Sequence, residues 1–527
     1  MQRYLLGVDL GSSSIRAALY ALDGSPVAIA SRPTEKAAPD PSRPGEIVWP
    51  HERIWNNGCT AISEVVRQLP SGGRIEAVAV ACLGMDGLPI DSNGNELYPF
   101  ISWHDDRTAA LSEQWQREFG DIRQFQATGN KIYTFNTAFR LQWMARHQPA
   151  ILERTAKWVL IGDYFNFKLC GRLATDYTMA NSTLLFDPRT KAWSPEILRA
   201  ARIDCRLLCD PLPSGVLLGP VSKQAAAATG LPEGTPVVLG AHDYLCGVLP
   251  VGGYRPGTIV NVAGTWDVVQ ATTDGFAPDE AMASKGLTVE CHAAPDSYSI
   301  HGAAISGGVL DWYRTEFGSA HPNENWDAAQ AAALSDGDPD LIFLPHLAGA
   351  SCPQLDAHAA GALVGLRSKH SRKDVLAAVC RGLAFQNAEM VQTLEQCGTR
   401  AERFVLVGGG ARVGSAVQMR ADVLGRTVEI SQLEETTALG AAMLAGVGAG
   451  VYADLDAAYD AVRRPGVLVQ PDRQAVRRLA KPKAVYGRLY GVLRETNHEL
   501  SRDGRDEPSR QDAAKMPGKP ESIAADA

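Results

Sequence analysis

The sequence predicts an α/β protein with two domains that close on a shared cleft. The same pattern, a short apolar strand, a turn of small residues and a second strand, occurs at 4–20 and again at 258–272. Helical patterns and further strands follow each of these two hairpins. The chain has 527 residues, more than one domain usually holds. We therefore expect two domains built on a related plan, with their hairpins facing the cleft.

The first domain is predicted over residues 1–250 as a mixture of strands and helices. Apolar runs predict strands at 4–8, 15–20, 77–83 and 236–241, and helical spacing predicts helices near 107–118 and 137–147. The glycine and proline residues at 252–257 indicate a boundary turn.

The second domain is predicted over 251–465. Its clearest helix begins at Ser371, where Asp374 completes a capping box, and ends at Gly398. A buried strand at 404–407 leads directly into Gly408, Gly409 and Gly410. Beyond it we expect a helical extension at 466–497 and, because the remaining residues are polar and charged, a disordered tail at 498–527.

Composition excludes several classes of partner. A net charge of −8 offers no basic surface for nucleic acid or an anionic membrane. The uncharged, glycine- and alanine-rich stretch 438–453 is too short to span a bilayer. The cysteines are scattered without metal-ligand spacing, so reduced, buried thiols and a cytoplasmic protein are expected.

The first hairpin places an aspartate before a turn of small residues. The amides of 11–14 are expected to face an oxyanion, whereas Asp9 alone could simply bond its own turn. Beside a polyphosphate, however, a carboxylate is repelled unless a cation lies between them, which makes Asp9 a candidate Mg²⁺ ligand acting through water. Gly264 and Thr265 would hold the transferred phosphoryl group from the other side, or form an ordinary hairpin turn.

Asp243 follows a predicted strand, at the edge where open α/β sheets bind ligands. A carboxylate there could take the proton of a substrate hydroxyl as a general base. The alternative, of equal weight from these residues alone, is a cap for the helix that begins at Tyr244. His242 receives no role.

Three further stretches are candidate ligand sites. The triple glycine at 408–410 could approach a nucleotide, although it does not fit GxGxxG. The Ala- and Gly-rich helix from 434 requires close packing, for which another helix is the simplest partner. Asp86 and Trp103 combine a carboxylate with an aromatic plane, which suits a sugar. The His-Asp-Asp run that follows Trp103 is not a metal site, because three consecutive side chains cannot converge on one ion.

Together these stretches resemble the FGGY carbohydrate kinases, a family with two actin-like, ribonuclease-H-like domains around a nucleotide and sugar cleft. The similar motifs, in order, are YLLGVDLGSS (4–13), ISWHDDR (101–107), GAHD (240–243), VAGTWD (262–267), VGGGARVGSAVQMRADVLGRTV (407–428) and ETTALGAAMLAGVGAGVY (435–452).

The resemblance implies ATP and Mg²⁺ as cofactors and a role for each matching residue. Asp243 would be the catalytic base. The other implied roles are substrate binding by Met85, Asp86, Trp103, Asp243 and Tyr244; nucleotide binding by Gly11, Ser12, Ser13, Gly264, Thr265, Gly408, Gly409, Gly410 and Ala438; and metal binding by Asp9 and Asp243.

The implied reaction is transfer of the ATP γ-phosphoryl group to a terminal hydroxyl of a ketose or polyol. MDGLPIDSNGNELYPFISW (85–103), YTFNTAFRLQW (133–143) and GTWDVV (264–269) most resemble L-fuculose kinases, while Met85-Asp86 departs from the pairs usual in xylulose and glycerol kinases. Xylulose, ribulose, rhamnulose and tetritol kinases are the alternatives, and an actin-like ATPase or a non-catalytic sugar sensor is the alternative of another class. The expected partner is a small sugar, and a homodimer is the assembly considered.

Overall fold

The computed structural model describes residues 2–40, 42–43, 45–317 and 326–502. The strands of the first domain are β1 (Gln2–Leu10), β2 (Ser14–Ala21), β3 (Pro26–Pro33), β4 (Val48–Trp49), β5 (Gly73–Cys82), β6 (Gly87–Ile90), β7 (Phe100–Ile101), β8 (Lys157–Leu160), β9 (Thr175–Asp176), β10 (Phe186–Asp187), β11 (Ala192–Trp193), β12 (Pro211–Leu212), β13 (Leu217–Pro220) and β14 (Pro236–Val238). Its helices are α1 (His51–Val66), α2 (Ala109–Glu118), α3 (Asp121–Thr128), α4 (Thr137–His147), α5 (Pro149–Arg154), α6 (Ile161–Cys170), α7 (Tyr177–Ser182), α8 (Pro195–Ala201), α9 (Lys223–Thr229) and α10 (Asp243–Gly247).

The second domain has its own sheet and a longer set of helices. Its strands are β15 (Thr258–Ala263), β16 (Trp266–Thr273), β17 (Thr288–Cys291), β18 (Tyr298–Ile305), β19 (Ile342–Leu344), β20 (Ala362–Val364), β21 (Arg403–Val407), β22 (Val428–Ile430) and β23 (Val467–Val469). The helices are α11 (Glu280–Ser284), α12 (Gly307–Phe317), α13 (Trp326–Asp336), α14 (Arg372–Gln396), α15 (Gly414–Leu424), α16 (Thr436–Gly448), α17 (Leu455–Val462) and α18 (Arg473–Arg502).

The two main sheets share one plan. In the first, β3, β2 and β1 are antiparallel neighbours, and β5 and β14 continue from β1 in parallel. In the second, β18, β16 and β15 are antiparallel neighbours, and β21 and β22 continue from β15 in parallel. In both domains a helix follows the last parallel strand, α10 in one and α16 in the other. The expectation of two related α/β domains is confirmed.

Strand β1 is central to the first sheet and is buried from Tyr4 to Leu10 because helices cover both sheet faces. Leu6 and Val8 belong to the core beneath α1 and α6, whereas Leu5 belongs to the core beneath α10 and α16. An uninterrupted apolar run is the pattern expected of a strand buried on both faces. This buried strand carries Asp9 to the edge of the cleft.

Helix α16 is rich in alanine and glycine because it packs backbone to backbone. A Cβ atom at Gly440 would lie 1.9 Å from the carbonyl oxygen of Cys246 in α10. The helix also packs across β1 and β5, where alanines at 77, 79 and 81 leave room for it. The predicted helix-to-helix contact is therefore present, and a helix-to-sheet contact accompanies it.

Helix α14 begins with the capping box of Ser371 and Asp374 that the sequence predicts. At the carboxyl end, α18 covers the predicted extension and runs to Arg502, five residues past the predicted boundary at 497. The rest of the predicted tail, 503–527, lies outside the described residues. The predicted limits of the domains otherwise stay predictions.

Among the described residues, no helix is both long and apolar enough to cross a membrane. The ten cysteines all lie in described segments and are free thiols; Cys205 is exposed, contrary to the expectation that they are buried.

Candidate active site

A cleft of about 970 Å³ lies between the domains, where the first hairpin, α10, the triple glycine and the start of α16 meet. The predicted site residues that line it are Asp9, Gly11, Ser12, Ser13, Asp243, Tyr244, Gly408 and Gly409. The structure thus brings together residues that are up to 400 positions apart in the chain. The site is therefore formed by several motifs together rather than by any single one.

The first hairpin turn is tighter than the sequence predicts. Asp9 belongs to β1 and Ser14 to β2, so the turn proper is 11–13. The amide of Gly11 donates to the carbonyl oxygen of Ser14 at 3.1 Å and so closes the turn. The prediction that this amide faces an oxyanion is therefore wrong for Gly11. The hydroxyl-bearing Ser12 and Ser13 remain at the cleft surface.

Asp9 is buried, and its electrostatic surroundings are mixed. Burial, and after it the Asp243 carboxylate, raise the pKa of its carboxyl to about 7, and the guanidinium of Arg16 opposes the shift. Arg16 lies opposite Asp9 in the β1–β2 register, with 3.5 Å between its Nη1 and Asp9 Oδ2. Two carboxylates that disfavour each other's charge in one cleft favour a cation between them.

Asp243 is the first residue of α10 and follows the carboxyl end of β14. A β-bridge between Cys82 and His242 holds this segment beside the first sheet. Asp243 Oδ1 accepts hydrogen bonds from the Tyr244 amide at 2.6 Å and from His242 Nδ1 at 2.8 Å. The bond from the Tyr244 amide is the local contact expected if Asp243 only caps the helix. It occupies only one of the two carboxylate oxygens.

Asp86 is completely buried, which differs from the expectation of a residue open to substrate. Its Oδ1 lies 2.7 Å from Nη2 of Arg140, and its Oδ2 accepts the indole N–H of Trp49 at 2.5 Å. The amide of Trp103 also donates to Oδ2, at 3.2 Å. Burial raises the pKa of this carboxyl, and Arg140 opposes that shift. In this structure Asp86 joins three segments rather than facing the cleft.

Met85 has a backbone φ of 71°, in the left-handed region that non-glycine residues rarely adopt. Its carbonyl oxygen is held by the Thr137 hydroxyl at 2.7 Å and by Arg140 Nη1 at 2.5 Å. The preceding Gly84 packs directly on the His242 ring, which connects this segment to Asp243. Such strain is often found at functional sites.

Trp103 is half-buried and stacks on His104 at 3.8 Å between ring centroids. Phe135 packs edge-on against the same indole at 6.1 Å. An aromatic plane of this kind suits the apolar face of a sugar. Met85, Asp86 and Trp103 lie outside the lining of the main cleft.

The second hairpin is a two-residue turn with Gly264 and Thr265 exposed. The Gly264 amide donates to Trp266 O at 3.0 Å, and its own carbonyl accepts the Gly307 amide at 3.0 Å. Neither residue lines the cleft as it stands. The structure thus has an exposed turn at the expected place, outside the cleft lining.

Two other predicted nucleotide residues also lie outside the cleft lining. Ala438 is 1% exposed and faces β1, because its side of α16 packs on the first sheet. Gly410 packs toward Ala263, so that a Cβ there would lie 2.7 Å from the Ala263 side chain. Thr436 and Thr437, the two residues directly before Ala438, line the cleft in its place.

Sequence reasoning missed several residues of the cleft, namely Arg16, Arg412, Glu435, Thr436 and Thr437. Arg16 could have been found, because a hairpin with a three-residue turn sets it opposite Asp9. It also lies 3.4 Å from Glu435, so this one guanidinium connects the first hairpin to the start of α16.

Comparison with known proteins agrees with this geometry. Residues 4–250 match the amino-terminal domain, and 259–449 the carboxyl-terminal domain, of the FGGY family of carbohydrate kinases. The chain is 27% identical to the xylulose kinase of Bacillus subtilis, over 94% of this chain and 99% of the relative. It is 28% identical to the L-fuculokinase of Escherichia coli K12, over 86% of this chain and 93% of the relative.

Among solved structures, the xylulose kinase from Rhodospirillum rubrum superposes with a TM-score of 0.85 at 27% identity, covering 94% of this chain and all of that one. Both domains match in the order expected and together account for most of the chain. The protein therefore belongs to the FGGY family of carbohydrate kinases, which transfer a phosphoryl group from ATP to an alcohol group.

Proposed function

We propose that this kinase phosphorylates a terminal hydroxyl of a ketose or polyol, with L-fuculose or a related ketose as the first candidate. The observation that supports this most is the carboxylate of Asp243. One of its oxygens is engaged by the Tyr244 amide and by His242, and its side chain is part of the wall of the cleft that also holds Asp9.

In this proposal Asp243 accepts the proton of the attacking hydroxyl. General bases must lie within hydrogen-bond reach of that proton, and contribute roughly 10²- to 10⁴-fold to rate. Phosphoryl transfer has a loose transition state, so positioning and electrostatic stabilisation supply most of the remaining acceleration. The serine-bearing turn at 11–13 and Arg16 line the cleft, and in this proposal they contact phosphate oxygens.

The proposed nucleotide contacts beyond this turn are Gly408 and Gly409, which line the cleft. Gly408 has φ 88°, and a Cβ there would lie 2.6 Å from Ala263 O, so only glycine fits. Gly264, Thr265, Gly410 and Ala438 stay proposed nucleotide residues; the first two need closure of the second hairpin toward the first.

The residues also fit Mg²⁺, with Asp9 and Asp243 as the proposed holders. Mg²⁺ is usually bound through one or two carboxylates, together with waters and substrate phosphates, rather than by an all-protein cage. The raised pKa of Asp9, caused by burial and then by Asp243, is what such a two-carboxylate site produces when no cation is bound. When bound, the ion would neutralise charge on the phosphates.

The choice of sugar rests on the segment around Met85 and Trp103. Asp86 holds both Trp49 and Trp103 in place, so we propose that it shapes the sugar pocket while Met85, Trp103 and Tyr244 contact the sugar. The relatives above act on different sugars by name, which is why xylulose, ribulose, rhamnulose and tetritols remain in the test.

The test is a screen for ADP release with L-fuculose, L-rhamnulose, D- and L-ribulose, D- and L-xylulose, erythritol and glycerol, plus a sample without any acceptor. We expect the highest kcat/KM with L-fuculose and sugar phosphate formed in equal amount to ADP. A clear preference for glycerol would overturn the proposal. ADP release that is equally fast without acceptor would identify an ATPase instead, and silence toward every acceptor would favour a sugar-sensing role.

A further inference from the structure

The proposed transfer leaves the buried histidine beside Asp243 without a role. His242 precedes Asp243 at the start of α10 and is only 9% exposed. A buried histidine next to a functional carboxylate is either a packing residue or a group that acts on the carboxylate. The contacts of His242 distinguish these two interpretations.

The backbone of His242 is held by a residue of α7. Its amide donates to the hydroxyl of Thr178 at 2.8 Å. That hydroxyl in turn donates to the buried carboxylate of Asp176, which caps the start of α7. The position of the histidine is therefore set by a chain of hydrogen bonds that does not involve the nucleotide side of the cleft.

The ring of His242 is held in one orientation by two neighbours. Gly84 packs so closely on it that a Cβ at position 84 would lie 2.2 Å from Nε2. The Tyr244 ring packs against it at 4.6 Å between centroids, with 62° between the ring planes. With Nε2 against Gly84, the other nitrogen, Nδ1, is directed at Asp243.

The hydrogen bond from Nδ1 determines which oxygen of Asp243 remains available. Oδ1 accepts two hydrogen bonds, one from Nδ1 of His242 at 2.8 Å and one from the Tyr244 amide at 2.6 Å. Within the part of the chain that the structure describes, no donor is hydrogen-bonded to Oδ2. The terminal torsion of an aspartate is soft, so a carboxylate without such a donor would sample a broad range of orientations.

We propose that His242 is a positioning residue that holds Oδ1 of Asp243, so that Oδ2 faces the acceptor hydroxyl and takes its proton. This inference rests on the proposed function, in which Asp243 is the base. His242 does not itself exchange a proton with the substrate; it acts through the orientation of its neighbour.

Three variants separate positioning from packing. His242→Leu removes the donor at similar volume. His242→Asn keeps a donor close to the place of Nδ1, whereas His242→Gln places its donor close to Nε2, against Gly84. We measure kcat and KM for ATP and for L-fuculose, or for the best acceptor of the panel above, together with the melting temperature of each variant.

We expect His242→Leu and His242→Gln to lose about 10- to 100-fold in kcat, the scale of a misplaced catalytic group, with KM for ATP within about twofold. His242→Asn should retain kcat within about threefold of the wild-type value, since it keeps the donor. Should the leucine variant not fold, the comparison between the asparagine and glutamine variants decides the question alone.

A double-mutant cycle supplies the second readout. If His242 acts only through the carboxylate, His242→Leu should cause no further loss of kcat in an Asp243→Asn background. Additive losses, equal losses in the asparagine and glutamine variants, or an unaffected leucine variant would each overturn the inference. A wild-type chain that phosphorylates none of the panel would instead overturn the proposed function on which it rests.

Discussion

The carbonyl oxygen of Ala438 lies so close to Gly7 that a Cβ atom at position 7 would sit 1.8 Å from it. Helix α16 of the second domain therefore packs directly on the backbone of β1, two residues before Asp9. The same helix begins with Thr436 and Thr437 at the cleft. Its distance from β1 thus fixes the spacing between the first hairpin and this wall of the nucleotide cleft.

Gly7→Ala should destabilise the protein strongly. A methyl group there has no space, and the neighbour is backbone that cannot rotate away, so we expect a loss of about 3 kcal/mol or more in the free energy of unfolding. The measurement is urea denaturation. Gly491→Ala is the matched control, because that glycine lies in α18 with open space around it and should gain up to about 1 kcal/mol of helix propensity. An unchanged midpoint for Gly7→Ala would contradict the close packing.

Arg16→Gln should weaken ATP binding. Arg16 is one of the few cations at the cleft and lies beside both Asp9 and Glu435. Hydrogen bonds to charged groups contribute roughly 1.5–3 kcal/mol, so Kd for ATP should rise about ten- to a hundredfold. Calorimetry at low and high salt measures the change, which should shrink as salt screens the charges.

Arg32→Gln is the control for that experiment. It makes the same change of charge on the neighbouring strand β3, where Arg32 pairs with Glu64 away from the cleft. Equal weakening by both substitutions would mean that net charge, and not the position of Arg16, governs ATP binding.

Local patterns predicted much of the fold. The two hairpins, the strand before the triple glycine and the capping box of α14 depend on residues close together in sequence, and the structure contains them. The direction in which a side chain faces depends on packing between distant segments. The family resemblance implies that Ala438 lies at the nucleotide, yet its face of α16 packs on β1.

The burial of Asp86 was unpredictable for the same reason. Its partner Arg140 lies 54 positions later, in a helix whose own sequence suggests only an exposed basic residue. Arg16 was within reach of sequence reasoning, since the register of a short hairpin determines the residue opposite Asp9. Local rules therefore predict which segments form the site, while tertiary packing selects which of their atoms reach it.

Arg140→Met should cost about 3–5 kcal/mol in the free energy of unfolding, because it leaves the Asp86 carboxylate buried without its cation. Urea denaturation measures this loss. Arg206→Met serves as the control, since the pair of Arg206 with Asp204 is exposed and its removal should hardly move the midpoint. Similar midpoints for the two variants would show that Asp86 is not held by Arg140 in solution.

Asp243→Asn should leave ATP binding largely intact and lower kcat by at least about a hundredfold, the low end for a lost general base. Initial rates of ADP release and the shift of melting temperature with ATP measure the two quantities. Asp460→Asn, on the exposed surface of α17, is the control for loss of one carboxylate. Kinase activity near the wild-type rate in Asp243→Asn would remove this residue from the mechanism.

Glu290 should make the protein less stable as pH rises. It is 2% exposed on β17, and burial raises the pKa of its carboxyl from 4.5 to about 7, an effect that His242 only partly opposes. His301, whose Nδ1 lies 3.4 Å from Glu290 Oε1, supplies no compensating charge, because burial lowers the pKa of its own ring to about 3. Between pH 4.5 and 7 the folded chain keeps a proton that the unfolded chain has released. The contribution of Glu290 to stability therefore falls across this window and levels off above it.

Glu290→Gln removes this titration, so its stability relative to the wild type should improve by about 2–3 kcal/mol between pH 5 and pH 8, given 1.36 kcal/mol for each pKa unit. Urea denaturation at closely spaced pH values measures the difference. Glu280→Gln on the exposed surface of α11 should show no such change over the same range. A constant difference between Glu290→Gln and the wild type across this range would mean that Glu290 is already ionised in the folded protein, with a counter-charge or water that offsets its burial.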